Sequence, residues 1–232
     1  MRPYPQVEFV YLTTLVRNLL LIEGEDFPDI AIVEQSRAKK GDFSPKIKSI
    51  MKMINKVYSL YAKHDTLADL NLEEIILTIS PPVHGWQENE YSKYEELADS
   101  PAELRSGIAR PPANAFVSHS KIKKQMETWL SKAKALDDFG GDEERAAFAW
   151  LSPYRMSYIS PFQDKNFLAG IGLFLYLRMH WKMPFFLYDL NRAEVAETQR
   201  AYSLFWIQKG LWETPDFPPL FKEKKEKLIG TD

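Results

Sequence analysis

Between two apolar stretches, Tyr158–Ile159 and Phe167–Leu177, the sequence sets Ser160, Pro161, Gln163, Asp164, Lys165 and Asn166. A hydroxyl, a carboxylate, a cation and a carboxamide thus crowd the entry to an apolar helix. At such a junction backbone N–H groups point outward and the helix dipole is positive, which suits an anion. Asp164 has two readings there: an N-cap that accepts the first free N–H groups, or a ligand for a divalent cation.

Few other residues compete for a chemical role. His64, His84, His119 and His180 have no metal-ligand spacing to one another or to a carboxylate pair, so surface or packing roles are expected for all four. No Walker loop, dinucleotide-binding fingerprint or nucleophile elbow is present. The 232 residues are 45% hydrophobic and 27% charged, an ordinary globular balance with chain enough for one sizeable core. A net charge of −2 gives no general attraction to nucleic acid or to an anionic membrane. The absence of cysteine excludes a disulfide framework and thiolate metal sites, and it fits a reducing compartment. The longest apolar run, Phe167 to Leu177, ends at Arg178 and is too short to cross a bilayer. With Glu8 and Arg17 interrupting the N-terminal apolar stretch, a soluble, cytoplasmic protein is expected.

The elements that must position the knot are mostly helical. Ile47, Ile50, Met51, Ile54, Val57, Tyr58 and Tyr61 recur at steps of three and four after Ser44–Pro45, which predicts a helix over 45–63. Asn71 with Glu74 resembles a capping box that opens a short helix ending at Ile79 before Pro81–Pro82. Ile122, Met126, Trp129, Leu130 and Ala133 form one apolar stripe after Ser120. Asp142 opens a helix over 142–151, an approach and loop fill 152–165, and a long helix runs from about Asn166 to Lys182. A further helix follows Asn191, whose spacing to Glu194 again resembles a capping box. Residues 106–117, SGIARPPANAFV, suggest an irregular hairpin or flap, and residues 26–44 a loop. The aromatics Trp181, Phe185, Phe186, Tyr188, Phe205 and Trp206 sit at helix-packing spacings.

The stretch YISPFQDKNFLAGIGLFLYLRM resembles the Fic signature, His-Pro-Phe-x-Asp-Gly-Asn-Gly-Arg-x-x-Arg. AAFAWLSPYRMSYISPF is similar to the helix and approach that carry this loop, and LRSGIARPPANAFVSHSKIKKQMETWL to the flap and the helix after it. The resemblance implies a mainly α-helical Fic-like domain with a small β-hairpin flap. Residues 1–89 would then form an N-terminal helical region, 90–220 the Fic-like core and 221–232 a charged tail.

Fic enzymes mostly transfer AMP from ATP to a protein hydroxyl. The resemblance puts the general-base His at Ser160, the Mg²⁺-binding acid at Asp164 and the loop Asn at Asn166. It puts the packing pair at Pro161 and Phe162. Lys165 and Phe167 stand where the motif has glycines, and Leu168 and Ile171 where it has arginines. Serine does not titrate near neutrality, and the bidentate clamp on a triphosphate is missing. LLLIEGE, residues 19–25, resembles the family's inhibitory Ser/Thr-x-x-x-Glu-Gly motif, with Glu23–Gly24 in place and Leu19 where the hydroxyl belongs. A helix C-terminus at Gly24 explains those residues equally well.

The expectation is a pseudoenzyme or protein-binding, regulatory module that holds a target segment in the flap groove by strand addition, without cofactor. The alternative is a nucleotidyl or phosphoryl transferase of altered chemistry acting on protein hydroxyls, with Mg²⁺ on Asp164 and ATP as cosubstrate. A helical scaffold unrelated to the family, with Asp164 as a plain N-cap, is the third reading.

Overall fold

The computed structural model describes residues 6–22, 45–79, 117–162, 165–183 and 192–215. Seven helices lie there: α1 (Gln6–Ile22), α2 (Pro45–Lys63), α3 (Leu72–Ile79), α4 (Ile122–Phe139), α5 (Asp142–Ile159), α6 (Asn166–His180) and α7 (Arg192–Lys209). Short 3-10 turns occupy Leu67–Asp69 and His119–Lys121, and no strand occurs among the described residues. The hairpin expected over 106–117 lies outside the described residues except for Val117. So do the loop at 26–44, the Glu23–Gly24 pair and the charged tail.

The periodic helices follow their apolar stripes. On α2, Ile47, Ile50, Ile54 and Val57 are buried, as is Met53; on α4, Ile122, Met126, Trp129, Leu130 and Ala133 are. The Asn71 side chain caps α3 by accepting the Glu74 N–H at 2.9 Å. Glu74 does not complete the reciprocal box. Its carboxylate turns instead to Lys63 and to His64, 3.2 Å away, so α3 is tied to the end of α2.

Two helices depart from expectation. Periodicity predicts that α5 stops near Leu151, but it continues through Pro153 to Ile159. Pro153 cannot donate to the carbonyl of Ala149, a loss that ordinarily ends a helix. Here every residue from Phe148 to Ile159 is buried, and that burial outweighs the missing bond. At its start, the Glu144 carboxylate accepts the Gly141 N–H at 3.0 Å. Arg145 donates to the carbonyls of Leu136 and Asp137, closing the end of α4. Helix α6 ends at His180 rather than Lys182, which adopts a left-handed conformation (φ 53°).

Helix α6 is the centre of the fold. Twelve of its fifteen residues are buried, and it packs against α5, α2 and α3. A helix apolar on all sides belongs in a core, and this one has a glycine facing each neighbour. A Cβ at Gly170 would lie 2.3 Å from the Cα of Pro153, a distance no side-chain adjustment relieves. On the other side a Cβ at Gly172 would lie 3.3 Å from Ile79 Cγ2 and 3.6 Å from Met53 Sδ, both flexible ends. Polar ties complete the packing. Trp129 Nε1 donates to Ser152 Oγ across α4 and α5 (3.2 Å). Asp137 Oδ1 meets His180 Nε2 and Trp181 Nε1 at 2.9 Å each.

The two glycines make opposite predictions. Alanine gains about 1 kcal/mol over glycine in a helix interior. Gly170→Ala should nevertheless destabilise by about 1–3 kcal/mol through backbone overlap. Gly172→Ala should stay within about 1 kcal/mol of the wild type in either direction. Urea unfolding of both variants checks this; equal effects at the two positions would contradict the close crossing at Pro153.

Candidate functional site: the turn between α5 and α6

Residues 160–165 return the chain from α5 to α6, and the structure describes all but Gln163 and Asp164. The Asp164 role, N-cap or metal ligand, therefore lies outside the described residues. Helix α5 closes with Ser160 in the left-handed region (φ 50°, ψ 57°), its N–H donating to Met156 O at 2.8 Å. Lys165 precedes α6 in the same region (φ 57°, ψ 26°). Left-handed backbone costs an L residue about 1–2 kcal/mol, and glycine or asparagine is the usual occupant. The turn thus holds two strained residues that are neither, Ser160 and Lys165.

Asn166 holds the turn together. It is 5% exposed, and its side chain makes three hydrogen bonds within its own loop. Oδ1 accepts the Phe162 N–H at 2.8 Å, while Nδ2 donates to Phe162 O at 2.9 Å and to Ser160 Oγ at 3.1 Å. These bonds meet backbone groups that a buried turn would otherwise leave unpaired. Pro161 and Phe162, the packing pair, are both buried. Ser160 is 0% exposed, and its hydroxyl oxygen is engaged inwards by Asn166.

The described residues of the turn offer few reactive groups. Ser160 offers no group that titrates near neutrality and no face to solvent. Leu168 and Ile171 are buried in the core at 2% and 0% exposure. Phe167 meets Tyr154 edge to face at 5.3 Å. Tyr154 packs beside this turn against Phe167. Burial first, then the neighbouring Tyr202, holds its hydroxyl far above the ordinary phenol range. Burial likewise raises Tyr158. Among the described residues no group of three or more His, Asp or Glu side chains gathers to hold a metal.

Two residues escape sequence reasoning. Lys165 reads as a surface lysine, and nothing in the sequence marks its left-handed backbone except its alignment with a signature glycine. Arg155 reads as part of an approach segment, yet it is among the most deeply buried side chains. Surface or packing roles are expected for the histidines; His64 and His180 instead hydrogen-bond the carboxylates of Glu74 and Asp137, and His84 and the His119 side chain lie outside the described residues.

Asn166→Ala should destabilise by about 2–4 kcal/mol, because it strands buried polar groups of the turn at about 1–3 kcal/mol each. Lys165→Gly should be neutral or stabilising by up to about 1 kcal/mol, since it relieves positive φ at the expense of chain entropy. Chemical denaturation of the two variants measures both; clear destabilisation by Lys165→Gly would contradict the strained backbone. No protein-family model matches the chain, and no curated protein and no solved structure matches it.

Proposed function

We propose that the chain is a Fic-type pseudoenzyme, a protein-binding or regulatory module that does not transfer AMP. The observation that carries this reading is the state of Ser160. At the position of the signature's general base stands a hydroxyl that is fully buried and held by Asn166. A positioned base typically contributes 10²–10⁴-fold in rate, and serine cannot supply it. The support extends to the phosphate clamp. Leu168 and Ile171 are core residues, so guanidiniums there would be buried charges without partners. The left-handed backbone at Lys165 and the Asn166 bonds are what a descendant of a glycine-containing anion loop would retain after its chemistry decayed.

Strand addition to a flap requires only backbone groups, so target binding survives the loss of catalysis. In this reading residues 106–117 hold a segment of a protein target, and neither Mg²⁺ nor ATP is needed.

The test is incubation with labelled ATP, Mg²⁺ or Mn²⁺ and candidate protein substrates, beside an Asp164→Ala control. No incorporation above the control is expected, and calorimetry should show no metal-dependent ATP heat. Label incorporated by the wild type and abolished by Asp164→Ala would overturn the reading in favour of a transferase of altered chemistry. A photo-crosslinking residue at Ala115 should capture a partner chain that the same residue at Glu197, exposed on α7, does not.

A further inference from the structure

Helix α5 carries a cation into the protein interior with no counter-ion among the described residues. Arg155 is 2% exposed, and its Nε and Nη1 have no hydrogen-bond partner among the described residues. Three aromatic rings surround it. The guanidinium carbon lies 5.3 Å from the Phe148 ring centre, 5.5 Å from Trp212 and 5.9 Å from Trp206. Ring faces attract a cation, but they do not accept its N–H groups in the plane of the fork. Burial lowers the pKa of Arg155 to about 9, so the group is still charged at neutral pH.

The same arginine lines a cleft of about 580 Å³ between the C-terminal half of α4, the Gly140–Gly141 turn, the first half of α5 and residues 212–214. A volume of that size suits a small organic ligand. Leu136, Phe139, Phe148 and Trp212 give the cleft apolar walls, and Phe139 is 90% exposed at its edge.

We propose that this cleft binds a monocarboxylate with an apolar body, its carboxylate paired with the Arg155 fork. Each edge of the guanidinium pairs Nη2 with Nε or with Nη1 and matches a carboxylate with two parallel N–H···O bonds, and a buried donor is where such a bond gains most. The class follows from what else lines the cleft. Glu143 and Glu144 are exposed along its margin with Lys132 as the other cation, so a multiply charged phosphate meets repulsion on the way in. A neutral apolar molecule fills the walls and leaves the fork unmet. One negative charge on an apolar body satisfies both. The site involves none of residues 160–168 and stands independently of the pseudoenzyme reading.

The test uses the full chain titrated with phenylacetate, its neutral counterpart phenylacetamide, and inorganic phosphate. Tryptophan emission and thermal shift are the readouts, since Trp206 and Trp212 flank the charge. Phenylacetate should bind saturably and raise the melting temperature, with phenylacetamide and phosphate at least about tenfold weaker. Arg155→Met should abolish the preference for the acid. If that variant does not fold, Ala147→Phe, on the cleft wall and away from the guanidinium, should weaken phenylacetate at least about tenfold with unchanged circular dichroism. The acid N-acetyl-Ala-Phe beside its amide identifies the source: tighter binding than phenylacetate points to a peptide C-terminus, weaker binding to a free acid, and both uphold the carboxylate. No saturable response to either acid, equal affinity for phenylacetamide, tighter binding of phosphate, or undiminished binding by a folded Ala147→Phe would overturn the proposal.

Discussion

The backbone of Gly170 approaches Pro153 so closely that a Cβ there would sit 2.3 Å from the proline Cα, and this contact determines how α5 meets α6. The pairing of residue types is not incidental. Proline has already given up its N–H, so a helix laid over it covers no donor, and glycine removes the one side chain that would hold the helices apart. Once α6 is seated at that distance, α2 and α3 close over its other side at Gly172. The resulting central helix is buried all round, which is why its sequence, NFLAGIGLFLYLRMH, has no polar face to lose.

The same approach dictates the character of the connecting turn. Two helices so close, joined through residues 160–165, require a sharp reversal, and the chain obtains it with left-handed backbone at both ends, Ser160 and Lys165. Strain of that kind persists only where the surroundings over-determine it. Here the surroundings are the three hydrogen bonds of Asn166 and the burial of Pro161 and Phe162. Packing and anion binding compete for this turn. A helix N-terminus open to phosphate needs small residues and reachable cations, whereas Leu168 and Ile171 draw the first turns of α6 into the core.

Much of the helical architecture was legible in apolar spacing, because α2 and α4 each have one buried face and spacing records it. The full length of α5 was not. Pro153 obeys its local preference as a helix breaker in any reading confined to neighbours, and only the burial of residues 148–159 against other helices overrides it. Helix α6 was legible as an uninterrupted apolar run, although its glycines gave no hint of which neighbour each would face. At the turn, the residue types of the signature were readable, but their conformations were not, since lysine carries no mark of positive φ. Arg155 was illegible for a related reason. A single arginine between Tyr154 and Met156 reads as a solvent-facing position, and its burial emerges only when residues 206 and 212 arrive from a distant part of the chain.

Asn166 and Arg155 show two ways of burying a polar side chain, and the difference between them bears on function. Asn166 meets donors and acceptors supplied by its own turn, so its burial rigidifies the loop and leaves no capacity for an outside ligand. Among the described residues Arg155 meets ring faces only, which stabilise its charge while leaving Nε and Nη1 without acceptors there. Removing an unpaired buried charge in favour of an apolar residue is often neutral or stabilising, so its presence is weakly explained by stability. The described polar groups of the turn are thus engaged within it, whereas Arg155, about one and a half turns earlier on α5, lines a cleft with Nε and Nη1 unpartnered among the described residues. Buried polar capacity left unspent among the described residues therefore lies at Arg155 rather than at Ser160.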